Sequence, residues 1–264
     1  MLKIAYWGSM HGQPGATSNL LATSIYMCAA MKSRVAVLQS HFSMNNLSYP
    51  LIGLSDGIAT FRDTGIDALL RDYKSRPLTE DVIISDGMSL LSRQYSLFSG
   101  TGNRNKDTYE KEMLMCFNSI TEEIAKYNDY VFIDISSGYS RLSQKIVKDA
   151  DILVINMSQN RQVINEYINE PIEHDNIIYL FGNYNKNSKY NLKNLSRMYP
   201  AFRKNSYSIF YNVDFQDAQN DGKTIEFMLK NLNCSELSVN YDFMQSVKML
   251  SEEIKRRGDE IASR

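Results

Sequence analysis

His11-Gly12-Gln13-Pro14-Gly15-Ala16-Thr17-Ser18 stands between the short apolar run Leu2-Lys3-Ile4-Ala5-Tyr6-Trp7 and a stretch of helical pattern. Glycines at such a strand-to-helix junction let backbone N–H groups turn toward an anion, and the helix N-terminus adds its partial positive charge. A Ser or Thr hydroxyl at the helix start is the group such a loop offers to Mg²⁺, and a lysine is the group that reaches the outer phosphates. The glycines, the helix start and the hydroxyl are here, and the lysine is absent. The stretch reads as a nucleotide-binding loop without its cation.

A chain of 264 residues, 43% of them hydrophobic, buries a full core and fits one large α/β domain. The formal net charge of −1 gives no global pull toward nucleic acid or anionic lipid, so such binding requires a local patch. Cys28, Cys116 and Cys234 are odd in number and scattered, and His11, His41 and His174 form no ligand-spaced cluster with them. Reduced thiols, no zinc site and a cytoplasmic address are expected. The N-terminus has no basic-then-apolar leader, and no apolar run is long enough to span a bilayer.

Short β-rich runs alternate with longer helical patterns, the rhythm of a parallel sheet with helices on both faces. The expected strands are Leu2 to Trp7, Arg34 to Leu38, Tyr130 to Ile135, Ile152 to Asn156, Ile177 to Phe181 and Tyr207 to Tyr211. The clearest helix runs from about Thr108 to Tyr127, with Met113, Phe117, Ile120 and Ile124 at helical spacing and Asp107 as the expected cap. Before it, Ser99-Gly100-Thr101-Gly102-Asn103-Arg104-Asn105-Lys106 combines turn formers with charge and has no apolar anchor, so it is expected to be a flexible loop.

A second motif is Asn128-Asp129-Tyr130-Val131-Phe132-Ile133-Asp134-Ile135-Ser136-Ser137-Gly138. A buried strand ending in a turn needs no ligand, but a phosphate loop at a compatible distance upstream favours a paired site. Together the two motifs resemble those of the ParA/MinD superfamily. The first is similar to its deviant Walker A motif, Lys-Gly-Gly-x-Gly-Lys-Thr-[Thr/Ser]. With Gly12, Gly15, Thr17 and Ser18 aligned, the family's signature lysine falls on His11 and its phosphate-gripping lysine on Ala16. The second resembles the family's Walker B strand, where Asp134 occupies the Mg²⁺ position and Gly138 that of the outer-phosphate sensor.

In MinD-like proteins the second strand runs into Asp-x-Asp-x-Gly-x-Arg-Asn-Leu-Asp. The matching run here is Gln39-Ser40-His41-Phe42-Ser43-Met44-Asn45-Asn46-Leu47-Ser48. Asn46 and Leu47 persist, while Gln39, His41 and Ser48 stand where the family has acids. Phosphoryl transfer is catalysed by positioning and charge, so these exchanges remove efficient ATP hydrolysis from the expectation. His11 and His41 are read as polar loop residues, because a neutral imidazole replaces a lysine poorly. No catalytic residue is assigned.

Later segments follow the family outline. Gly182-Asn183-Tyr184 resembles the strand end whose Asn contacts adenine, Asn212-Val213-Asp214 the next base-side loop, and Asp217 to Gly222 the Ala-x-x-x-Gly helix. The resemblance implies an α/β fold with a doubly wound, mostly parallel sheet, the three-layer P-loop NTPase fold of the MinD-like (SIMIBI) class, in a single domain over residues 1–264. It implies a site in which Gly12, Gln13, Pro14, Gly15, Ala16, Thr17, Ser18 and Asn183 bind ATP or ADP weakly or not at all, with Thr17 and Asp134 holding Mg²⁺ if nucleotide binds.

From Asn176 through Val213 there is no acid, while Lys186, Lys189, Lys193, Arg197, Arg203 and Lys204 fall among Tyr184, Tyr190, Tyr199 and Phe202. Such a stretch can track a phosphate backbone or sit as a solvated face. Near the C-terminus Phe243, Val247, Leu250 and Ile254 form one stripe. Glu252 and Glu253 spoil a cationic face, so this stripe is expected to pack on the sheet rather than bind a membrane.

The leading expectation is a pseudo-ATPase of ParA/MinD type that acts as a positioning or assembly scaffold and dimerises through its loop face. The TadZ/CpaE pilus-assembly branch, which also carries eroded motifs, is closest in style, with a pilus or secretion apparatus as partner. Two other readings stand beside it: a nucleotide-dependent switch or slow ATPase whose partner supplies the cation, and a partition factor that binds DNA nonspecifically through the basic stretch.

Overall fold

The computed structural model describes residues 1–10, 12, 15–42, 47–53, 64–102 and 105–263. His11, Gln13, Pro14, Ser43 to Asn46, Asn103 and Arg104 lie outside the described residues. The chain begins β1 (Leu2–Trp7), α1 (Ala16–Met31), β2 (Val35–Gln39), α2 (Ser48–Ile52), α3 (Ile66–Ser75), α4 (Glu80–Asp86), β3 (Met88–Leu90) and β4 (Tyr95–Phe98). It continues through α5 (Lys106–Ala125), β5 (Tyr130–Asp134), α6 (Arg141–Asp149), β6 (Ile152–Met157), α7 (Arg161–Asn169) and β7 (Ile177–Tyr184). The last elements are α8 (Leu192–Met198), a 3-10 turn (Pro200–Arg203), β8 (Ser206–Phe210), α9 (Val213–Asn220), α10 (Thr224–Asn231) and α11 (Tyr241–Ala262).

The strands form one sheet in the order β3-β4-β2-β5-β1-β6-β7-β8. All neighbours are parallel except β3, which runs antiparallel to β4. The central strands carry near-continuous apolar runs because helices cover both faces. Ala5 and Trp7 face one core layer with residues of α3 to α7, and Ile4 and Tyr6 face the other with α1, α10 and α11. The architecture is therefore the expected three-layer, doubly wound α/β fold.

α1 is buried continuously from Asn19 through Cys28. A helix apolar around its whole circumference needs cover on every side, and here it lies between the sheet and the outer helices α10 and α11. The Phe243, Val247, Leu250 and Ile254 stripe of α11 is fully buried. No helix among the described residues is long and apolar enough to cross a membrane.

The structure departs from the sequence expectations in several places. β3 and β4 were absent from the expected strands, being short and joined by Leu91, Ser92 and Arg93, all at positive φ without a glycine. The cap of α5 is Asn105, whose side chain accepts from the Thr108 N–H, and Asp107 lies inside the first turn. In the described part of the turn-rich stretch before α5, Thr101 and Gly102 make polar contacts with α3. Thr101 donates to Asp67 at 2.6 Å and the Gly102 N–H donates to the same carboxylate at 2.8 Å. β7 runs on through Gly182, Asn183 and Tyr184, with a register irregularity that puts Asn183 at φ +47°.

α11 is tied to the sheet by an ionic cluster. Buried Arg257 donates to Glu253 at 2.7 Å and to the Ile177 carbonyl at 2.9 Å, while Arg256 grips both oxygens of Glu253. The Arg256 and then Arg257 hydrogen bonds pull the Glu253 carboxyl from its ordinary 4.5 down to about 2. A lowered carboxylate stabilises the fold above its unfolded value and loses that contribution as pH falls through the folded value. Thermal melts from pH 7 to pH 2 are expected to show stability falling between about 4.5 and 2. Glu253→Gln is expected to remove about 1–3 kcal/mol at neutral pH and to flatten that acid limb.

Candidate functional site

Three parallel strands end side by side where the loop after β1 begins. Register places Tyr6 of β1 and Gln39 of β2 on either side of Asp134 at the end of β5. In open α/β sheets this carboxyl edge, where strand order reverses, is where ligands bind.

Asp134 is 1% exposed. Its Oδ2 accepts from the Thr17 hydroxyl at 2.7 Å and lies 3.5 Å from His41 Nε2. Its Oδ1 is buried with no hydrogen-bond partner among the described residues. Its backbone carbonyl accepts from the Ser40 N–H at 2.9 Å, and the Ser40 hydroxyl accepts from the Ser136 N–H at 3.1 Å. The starts of α1 and of the segment after β5 are thus fixed around one carboxylate. A hard-oxygen pair of hydroxyl and carboxylate, with one buried oxygen left over, fits a Mg²⁺ that completes its shell with water and phosphate. Thr17 and Asp134, separated by more than a hundred residues in sequence, are brought together as the sequence motifs imply. No group of three or more His, Cys, Asp or Glu side chains able to hold a metal occurs among the described residues.

Gly15 precedes α1 at φ +65°, a left-handed conformation that a side chain strains. Its Cα faces Asn183, whose amide nitrogen would lie 3.5 Å from an added Cβ. The first turn of α1 contains no acid of its own, and the carboxylate beside it is that of Asp134, which accepts from Thr17.

The described part of the loop forms a wall between two clefts. One, of about 730 Å³, is lined by Gly12, Gly15, Ala16, Thr17, Ser40, His41, Asp134, Ser136 and the first turn of α5. The other, of about 290 Å³, is lined by Gly12, Gly15, Ser18, Asn183, Phe210 to Asn212, Gln219 and Asn220. The two share Gly12, Gly15 and Ser18. Phosphates on one side and a base on the other would be joined across Gly15.

Gln39, His41 and Ser48, which replace the acids of the resembling motif, are all buried. Among the described residues lining the larger cleft, Asp134 and Glu110 are the carboxylates. Gly138 sits at φ +88°, its N–H donating to the Gly8 carbonyl at 3.2 Å and its carbonyl accepting from Trp7 Nε1 at 2.9 Å. Trp7 itself is held against Tyr139, ring centroids 5.2 Å apart. Sequence reading passed over Trp7 as an ordinary strand residue, because nothing in the β1 pattern reveals a side chain that latches a distant loop.

No family profile matches the chain, and no curated protein matches it in sequence. The solved structures behave differently. A ParA family ATPase from Chlorobium tepidum superposes with a TM-score of 0.71 at 11% identity, over 95% of this chain and 98% of its own. The fold is that of the ParA and MinD ATPases. MinD from Pyrococcus horikoshii, solved with Mg-ADP, matches with a TM-score of 0.64 at 14% identity over 96% of each chain. A plasmid partition protein from Borrelia burgdorferi, solved with AMPPNP, matches at 0.57 and 14% identity over 97% of this chain and all of its own. Identities this low establish the ParA/MinD fold and leave the chemistry to the residues of the site.

All six basic residues between Lys186 and Lys204 are exposed. The interleaved aromatics point elsewhere: Phe202 is buried in edge-on contacts with Tyr179, Phe181 and Tyr199, and the Tyr184 hydroxyl accepts from the Leu192 N–H. The rings of Phe202 and Tyr184 belong to the core, while Tyr190 and Tyr199 stay half-buried and the Lys189 ammonium lies 5.2 Å from the Tyr190 ring.

Trp7→Phe keeps an aromatic side chain, removes the donor to Gly138 and leaves a small void where the buried indole was larger. Hydrogen exchange over Ser136 to Ser140 is expected to accelerate several-fold, with a stability cost of about 1 kcal/mol. Unchanged exchange would mean that other contacts hold the segment.

Proposed function

We propose that the chain is a ParA/MinD-type pseudo-ATPase, a positioning or assembly scaffold that holds a Mg-nucleotide weakly and turns it over extremely slowly. The observation that carries this reading is the Thr17–Asp134 pair, with its extra buried oxygen, standing in a cleft from which the loop lysine and the acids of the β2 end are missing. The backbone at the start of α1 offers N–H groups and the positive end of the helix dipole to phosphate. Asn183, across Gly15, borders the smaller cleft where a base would lie. When bound, Mg²⁺ would neutralise part of the charge on the outer phosphates.

Turnover is a separate matter. Catalysis of phosphoryl transfer needs charge aimed at the moving phosphoryl group, and losing one such group costs roughly 10²–10³-fold. Ala16 has none to give, Gln39, His41 and Ser48 have no carboxylate, and the Gly138 N–H is engaged by Gly8. In this reading the chain dimerises through its loop face, within a single domain, and organises a pilus, secretion or partition apparatus; the pilus assignment rests on the style of the eroded motifs. Calorimetric titration with Mg-ATP and Mg-ADP is expected to give weak saturable binding with no phosphate release above the blank. Absence of heat at millimolar nucleotide removes the ligand from the reading, and steady phosphate release removes the pseudo-ATPase.

A DNA-binding role draws on one observation, the six exposed cations without an intervening acid. It predicts duplex binding that weakens steeply with salt and falls when Lys189, Lys193 and Arg197 are neutralised together. Binding indifferent to those changes excludes it.

A further inference from the structure

A lysine outside the phosphate loop also lines the larger cleft. α5 starts at Lys106, fixed by its Asn105 cap, and its first turn is pinned by Tyr109, which is buried and packs on Phe42 with ring centroids 5.7 Å apart. Lys106, Tyr109 and Glu110 line the same cleft as Gly12, Gly15, Ala16, Thr17 and Asp134. Among the described residues of that lining, Lys106 is the one Lys or Arg.

Lys106 is free to change partners. Its ammonium lies 3.6 Å from Glu110, one turn on, and the two side chains are 63% and 40% exposed. An exposed pair of this kind is weak and is screened by salt. A phosphate with a charge near −2 placed in the cleft is a stronger partner for an ammonium than one exposed carboxylate.

We propose that Lys106 supplies, from α5 of the same chain, the cation that Ala16 omits, by contacting the terminal phosphate of a nucleoside di- or triphosphate held on Gly15 to Ser18. The proposal rests on the nucleotide-binding reading above. It moves the positive charge from the loop to the start of α5. Such a charge meets the outer phosphates and not the phosphate nearest the nucleoside, so its contribution grows with the length of the phosphate chain. Glu110 competes with the ligand for the ammonium.

The test is calorimetric titration of the full chain with Mg-ATP, Mg-ADP and AMP, on wild type, Lys106→Met, Lys106→Arg and Glu110→Gln, with melting curves confirming that each variant is folded. Lys106→Met is expected to weaken Mg-ATP roughly ten-fold, the loss of one charge-assisted contact, and to leave AMP unchanged. Lys106→Arg is expected to retain most of the wild-type affinity, and Glu110→Gln to tighten Mg-ATP. If wild type binds Mg-ATP and Lys106→Met binds it equally well, the role of Lys106 is overturned and the nucleotide reading stands. Equal weakening of ATP and AMP overturns it too, since that is the signature of a diffuse surface charge. If wild type binds none of the three, the nucleotide reading fails at its root and the role of Lys106 with it.

Discussion

A buried carboxylate must be met by donors or by a cation, and that constraint organises the carboxyl edge of this sheet. Asp134 lies at the end of a central strand, flanked in register by Tyr6 and Gln39. One of its oxygens takes the Thr17 hydroxyl, which fixes the start of α1 against β5. Its backbone carbonyl takes the Ser40 N–H, which fixes the exit of β2. The segment after β5 is drawn in through the Ser40 hydroxyl and held from behind by Trp7. The same group that closes the fold here is the group best placed to meet a cation, so folding and ligand chemistry are coupled at one residue.

The two motifs were readable because they are local. Glycines before a helix, and an acid at the end of an apolar strand, each declare a backbone geometry within a dozen residues. Their convergence follows from topology: parallel strands with right-handed crossovers bring every strand end to one edge. The buried stripe of α11 was legible for a similar reason, since a period of 3.6 residues reports a buried face directly. β3 and β4 were not, because they are only a few residues long and turn through Leu91, Ser92 and Arg93, residue types that do not advertise positive φ. The α5 cap was misplaced by two residues because Asn105 and Asp107 are equally good acceptors in sequence, and backbone conformation alone decides between them. Trp7 and Lys106 were silent because their roles depend on contacts across the cleft and not on neighbours in the chain.

The basic stretch shows how folding divides a pattern that looks uniform in sequence. Interleaved aromatics and lysines look like a nucleic-acid surface when written in a line. Folded, the chain sends Phe202 and Tyr184 inward and the cations outward, the ordinary division of an amphipathic segment packed on a sheet edge. What remains on the surface is a row of cations with the half-buried rings of Tyr190 and Tyr199 beside them, which can attract a polyanion.

The imidazole at position 41, where the resembling motif has an acid, changes the electrostatics around Asp134. His41 Nε2 lies 3.5 Å from Asp134. A carboxylate there, as in the resembling motif, would set two like charges side by side in a buried site, an arrangement that a cation between them must relieve. An imidazole removes that repulsion and can interact favourably with the carboxylate instead. Asp134 therefore has a compatible neighbour at the exit of β2 in place of a competing charge. That neighbour is compatible with the scaffold reading proposed above, in which the edge of the sheet need not rearrange with turnover.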